Sequence, residues 1–413
     1  MTAATSLAFA DDPISRLDPA DPYPTYAELR ARAPVHWSSR LSGWVLTRYD
    51  DVRGVLDHPD FRIVDPASRL SRLAERGGPL LANLIAFHAC LPLLHDPDHS
   101  RGVKRVFFQL LTGRRQLGLR EGLAQRAAEI LRAGAAAGRI DLAAGYGSPL
   151  TVFASGTLFG LPESEHGVLT ASAGVSTLLS GAVHSLRELK RLDAEAARLV
   201  DRFRAPLAER HEATADDGLS RMLRAADAEL GWTDDQLAGF CAFILGVSRE
   251  TTFTALSGGC LRLLQEPALR ARLCEDPAKR PAALRELLRL VSPLQFAARV
   301  AARDTQIAGQ AIRAGQPVCA MLAAANRDPA VFPDPDRVDL EREGPEPLAF
   351  GAGAFRCLGE QLAQMELGVA IDGILDYPGL GLGREPVVWG TGMHVRELRH
   401  VPAIFVGAEA AGG

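Results

Sequence analysis

Between Leu237 and Val247 the chain reads LAGFCAFILGV, a run without one charged or strongly polar side chain. A helix with no polar stripe is expected to be buried on all sides. Thr233 stands where an N-cap belongs, followed by the acidic Asp234 and Asp235, which suit the positive end of a helix dipole. Continued to Leu264, the helix would span about 45 Å at 1.5 Å per residue. Its middle then turns polar at Ser248-Arg249-Glu250-Thr251-Thr252. Unpaired polar groups in a buried helix cost several kcal/mol, so a functional reason is expected for them.

A second pattern closes the chain. Leu358, Leu362, Met365 and Val369 share one helical face, which places Cys357 at the N-terminus of the last long helix, where free amides favour a thiolate. Gly351 and Gly353 just before it allow a sharp turn and a close backbone approach to a flat ligand. Elsewhere, alternation predicts short strands at 35–37 and 44–47 around the Ser42-Gly43 turn, and two more around 313–316. Proline-rich entry at Pro22 and Pro24 leads into a helix at 27–30, and Tyr49 opens another that ends near His58. Amphipathic helices are expected at 119–133, 148–158, 163–179 and 185–210, while 63–94 holds two weakly helical segments broken by Gly77-Gly78-Pro79. Small residues at 180–184 suit a lid hinge, with His184 a surface residue.

Composition narrows the class without choosing a function. With 47% hydrophobic and 23% charged residues, the 413-residue chain reads as an ordinary globular protein. A net charge of −4 is too small to argue for nucleic acid or an anionic membrane. No apolar run of about 18 residues exists and the first twelve residues lack a basic start, so a soluble cytoplasmic protein is expected. Cys90, Cys241, Cys260, Cys274, Cys319 and Cys357 form no C-x-x-C pair, and read as five ordinary thiols and one ligand.

The stretch Phe350-Gly351-Ala352-Gly353-Ala354-Phe355-Arg356-Cys357-Leu358-Gly359-Glu360, with Leu362-Ala363 and Glu366, resembles the cysteine-ligand loop of the cytochrome P450 family, Phe-Gly-x-Gly-x-His/Arg-x-Cys-x-Gly. Ser248-Arg249-Glu250-Thr251-Thr252 resembles the family's Ala/Gly-Gly-x-Asp/Glu-Thr-Thr, Glu286 to Arg289 its Glu-x-x-Arg, and His95-Asp96-Pro97-Asp98-His99-Ser100-Arg101 its Asp-Pro-Pro-x-His-Thr-Arg. The resemblance runs over about residues 20–405. It implies a mainly α, single large helical domain at 20–405 with a smaller β-rich region, flanked by flexible segments at 1–19 and 406–413. It further implies haem b ligated by Cys357, with Phe350, Gly351 and Gly359 shaping the loop, and dioxygen as co-substrate. Arg299, His99 and Lys104 would hold the haem propionates, with Arg105 an alternative. Glu250 and Thr251 would relay protons to dioxygen, and Glu286, Arg289 and Arg337 would lock the cysteine loop. Leu245, Gly246, Val247, Leu294, Gln295, Phe296, Ala297, Thr391 and Met393 would line the substrate pocket, with His394 a turn residue.

Two positions depart from the family pattern. Phe355 stands where His or Arg usually holds a propionate, and Val247-Ser248 replaces Ala-Gly. The implied activity is a monooxygenase that hydroxylates a small organic or natural-product substrate. Oxidative ring coupling of an aromatic peptide or natural product, a peroxide-driven enzyme, and a catalytically silent binding protein stay open beside it. A ferredoxin or flavodoxin electron donor is implied, for which Arg101, Lys104, Arg105, Arg114 and Arg115 form a candidate basic patch. The protein is expected to act as a monomer.

Overall fold

Thr233 caps the helix Asp234–Gln265, the longest among the described residues. Its hydroxyl accepts the Gln236 N–H at 3.3 Å, and the Gln236 side-chain oxygen accepts the Thr233 N–H at 2.9 Å. This reciprocal cap satisfies two amides that a helix start otherwise leaves open. The computed structural model describes residues 11–63, 70–71, 75, 81–89, 97–111, 114–161, 163, 185–212 and 218–406. The expected helix at 163–179 and hinge at 180–184 lie outside those residues, as does the tail after Val406.

The chain divides into two compact units. The first comprises Met1–Val64, Ala271–Cys357 and Val387–Arg399. Its centre is a five-stranded sheet in the order Val35–Ser38, Gly43–Leu46, Pro317–Ala320, Ala297–Ala301, Phe61–Ile63. Only Gly43–Leu46 and Pro317–Ala320 run parallel; the other neighbours are antiparallel. The register sets Arg299 between Val318 and Ile63. Val35, Leu46, Val52, Phe61, Ala301 and Val318 pack on one core, while Tyr26, Leu29, Val45, Phe296 and Met321 build another. Ordered chain begins before the boundary expected at residue 20. Asp12 accepts the Ile14 and Arg40 amides and the Ser38 hydroxyl, and Ile14 is buried in the second core.

The second unit comprises Asp65–Arg270, Leu358–Pro386 and His400–Gly413, and is mainly helical. Against Asp234–Gln265 pack Ser148–Leu158, Leu186–Glu212 and the last helix, Glu360–Leu375, while Arg114–Ala136 packs on the last helix and Gly218–Leu230 on Leu186–Glu212. The helix Gly218–Leu230 was not anticipated from the pattern. Gly259 lets the last helix approach the long one: a Cβ there would come within 2.8 Å of Leu367. Tyr146 donates its hydroxyl to the Ala370 carbonyl at 2.9 Å, and Arg270 gives its guanidinium to the carbonyls of Ile374, Tyr377 and Leu380. The guanidinium thus ties the end of the last helix to the turn and strand that follow it.

Candidate functional site

Cys357 is exposed at the end of a loop whose shape depends on glycine. Gly351 has φ 73° and ψ −162°, a region that side-chain-bearing residues rarely enter. Gly353 has φ 70°, and a Cβ there would collide with the Asp57 carboxylate. Between them the loop closes on itself, the Cys357 N–H donating to the Phe350 carbonyl at 2.9 Å. The helix start differs from expectation. Gly359 is the N-cap and the helix begins at Glu360, so Cys357 lies in the loop two residues ahead of the cap. Leu362 and Val369 are buried as the periodicity implied, whereas Leu358 belongs to the preceding turn.

Behind the loop sits a buried polar network in the same unit. Arg289 grips Glu286 with two hydrogen bonds, 2.7 and 2.8 Å, and neither side chain reaches solvent. It also donates to the carbonyls of Asn326, Pro335 and Arg337. The second arginine on Glu286 is Arg342, whose Nε donates at 3.1 Å; Arg337 contributes its carbonyl and leaves its side chain exposed. The expected role of the Arg337 side chain is thus corrected. Desolvation alone would raise Glu286, but Arg289, the Asp339 amide and Arg342 outweigh it and hold the carboxyl below its ordinary range. Asn326 carries the network onward: its side chain donates to Ser292 at 2.8 Å and accepts the Leu348 N–H at 2.6 Å. Leu348 starts the turn that ends at Phe350, the partner of the Cys357 amide. Ser292, Asn326 and Arg342 are the supporting residues that sequence reasoning did not single out.

Arg299 is 6% exposed, and its Nε has no hydrogen-bond partner. Its one hydrogen bond goes to the neighbouring Ala298 carbonyl at 3.0 Å. Burial pulls its pKa down to about 10, and no carboxylate among the described residues offsets that. A buried guanidinium without a counter-charge is costly unless an anion completes it. An accessible soft thiol together with such a guanidinium is a donor set suited to a haem, which needs one axial ligand and partners for its carboxylates.

On the long helix, residues 237–246 are buried as expected, but Val247 to Thr251 are each only half-buried. Ser248 to Thr251 therefore escape the desolvation cost that full burial would impose, whereas Thr252 is buried, and the helix runs through the stretch unbroken. Thr251 Oγ1 donates to the Val247 carbonyl at 3.1 Å. Ser248 donates to the Leu245 carbonyl at 3.3 Å and lies 3.3 Å from the Ser155 hydroxyl on Ser148–Leu158.

The remaining expected residues divide. Lys104 is half-buried on Pro97–Phe108, a helix that also carries His99; the His99 side chain lies outside the described residues. Arg105 is paired with Glu229 at 2.6 Å. Gln295 does not line a pocket with its polar atoms: it accepts the Tyr26 hydroxyl at 3.1 Å and donates to the Ser292 carbonyl at 2.7 Å. Phe296 and Met393 likewise pack with Tyr26 and Leu29 in the core. Leu294 and Ala297 are half-buried, Leu245 and Gly246 buried, and Thr391 exposed. His394 keeps some exposed surface but stands edge-on to Phe296 at 4.9 Å, in packing dense enough to draw its imidazole down to about 4. It is a neutral turn residue at ordinary pH.

The chain is similar to known proteins over most of its length. The family model described as Cytochrome P450 matches residues 280–377. The mycinamicin IV hydroxylase/epoxidase of Micromonospora griseorubida is 33% identical over 92% of this chain and 94% of its own length. The 6-deoxyerythronolide B hydroxylase of Saccharopolyspora erythraea is 31% identical over 92% and 95%. A crystal structure of P450BioI in complex with an acyl carrier protein ligated to hexadec-9Z-enoic acid superposes with a TM-score of 0.83, at 28% identity, over 94% of this chain and 99% of the other.

Proposed function

The chain belongs to the cytochrome P450 family, and from that premise we propose that it hydroxylates a natural-product substrate, with Cys357 as haem ligand and Glu250 and Thr251 as proton relay. As a P450 it is a haem-thiolate monooxygenase acting on a small molecule, with haem b as cofactor and dioxygen as co-substrate. When bound, a thiolate-ligated haem would supply the electron-rich iron needed to activate dioxygen.

The exposed Cys357 sulfur, set by a glycine-dependent loop in a unit that also buries a carboxylate-free Arg299, carries this reading. Cys357 would supply the sulfur ligand, and Arg299 a haem carboxylate partner, joined by His99 and Lys104. Phe350, Gly351 and Gly359 keep the loop's path. Glu286, Arg289, Arg342 and Asn326 hold that path from behind.

Glu250 is half-exposed, so its carboxyl group is within reach of water and would serve as the acid of the relay. Thr251 engages its own proton on Val247, which leaves the Oγ1 lone pairs to hold a water one residue along. By the family resemblance Leu245, Gly246, Val247, Leu294, Ala297 and Thr391 would line the substrate pocket, and being apolar but for Thr391 they would suit a largely apolar substrate. The relatives named as hydroxylases support hydroxylation as the outcome.

A reduced ferredoxin or flavodoxin would donate the electrons, guided by exposed positive charge such as Arg101. Cys241, Cys260 and Cys319 are buried as free thiols, which fits a reducing cytoplasm. Of the large exposed apolar residues described, Trp37, Leu117, Leu186 and Val388 lie on separate elements and Ile404 and Val406 close together at one strand end, a scatter that favours a monomer.

Turnover under isotopically labelled dioxygen, with a surrogate ferredoxin and reductase, tests the activity. One labelled oxygen atom in each product molecule is expected. Product formed without label would replace hydroxylation by oxidative coupling.

A further inference from the structure

Phe355 occupies the position at which the resembling loops carry His or Arg, so this chain lacks one expected cation beside a haem carboxylate. Its half-buried ring lies instead with its centroid 6.0 Å from the Cζ of Arg299. Arg299 is the buried guanidinium whose Nε has no partner and whose burial no carboxylate offsets among the described residues. A ring face attracts a cation without consuming any of its N–H donors. The stacked guanidinium therefore keeps its fork for a carboxylate, the geometry that bidentate pairing needs. A histidinium or arginine at 355 would repel Arg299 at this range, whereas phenylalanine stabilises it.

We propose that Phe355 is a positioning residue for the cofactor: its ring orients the Arg299 guanidinium, so that Arg299 does on a haem carboxylate what two cationic side chains would otherwise share. The role rests on the haem b assignment.

Release of ferric haem from the purified holoprotein to excess apomyoglobin reads this without any turnover. Phe355→Leu is expected to release haem roughly three- to tenfold faster, and Phe355→Tyr, which keeps the ring, to stay within about twofold of the native rate. In an Arg299→Gln background the Phe355→Leu change is expected to add almost nothing, because the ring then has no cation to hold. Should the leucine protein fail to fold, Phe355→Met is expected to behave as Phe355→Leu does. Native-rate release from the aliphatic variant, or the same acceleration in both Arg299 backgrounds, would overturn the proposal and leave Phe355 a space-filler. A native protein that carries no haem at all would instead overturn the cofactor assignment beneath it.

Discussion

The Ser248 hydroxyl lies 3.3 Å from the Ser155 hydroxyl, joining the helix Asp234–Gln265 to Ser148–Leu158 one turn before Thr251. Serine stands here in place of the family's glycine, and the polar contact gives it a partner on the neighbouring helix. Ser155→Ala is expected to cost about 1 kcal/mol in urea unfolding. A double-mutant cycle with Ser248→Ala should show coupling of at least about 0.5 kcal/mol. Strict additivity would mean that the two hydroxyls do not interact.

Thr251→Ala removes a hydroxyl whose proton goes only to the Val247 carbonyl. Alanine is the strongest helix former, so the helix should persist. Reductant consumption is expected to continue while product falls by about tenfold or more. The ratio of product to reductant consumed measures this, and an unchanged ratio would remove Thr251 from the relay.

Arg342 and Arg337 separate a side-chain role from a backbone one. Arg342 donates to the buried Glu286 carboxylate with a side chain only 4% exposed, whereas Arg337 takes part through its carbonyl. Arg342→Ala is expected to cost about 2–3 kcal/mol, because it strips a charged hydrogen bond from a buried acid. Arg337→Ala should stay within about 0.5 kcal/mol. Guanidinium midpoints of the two variants decide it, and the reverse order would restore the Arg337 side chain to the network.

Glu366 on the last helix is 2% exposed, and desolvation raises its pKa well above the ordinary carboxylate value. The native state therefore keeps a proton that the unfolded chain releases near about pH 4.3. The stability this acid lends is full below that pH and declines as pH rises toward its native pKa. Glu366→Gln cannot ionise, so its melting temperature should gain on the native protein progressively as pH rises above about 4.3. A gain independent of pH would show that Glu366 is not buried as an acid.

Much of this was readable from local pattern, and the rest was not for identifiable reasons. Thr233, the acidic Asp234 and Asp235 and the apolar run from Leu237 carried the long helix to its start, because capping and burial there are local. The glycine loop was readable for the same reason. Arg342 was hidden because its acid partner lies 56 residues away, and nothing near it in the chain signals the pairing. Gln295 looked like a pocket residue until Tyr26, far off in sequence, took up its side chain. The start of the last helix was misplaced because the Leu358 spacing continues the helical period into a turn that Gly359 caps.

The reduced carbonyl spectrum of purified native protein and of Cys357→Ala tests the central assignment most directly. The native protein should show the red-shifted Soret band of thiolate ligation, and the variant should lose it completely. A native protein without that band, or a variant that retains it, would show that the Cys357 sulfur is not the haem ligand.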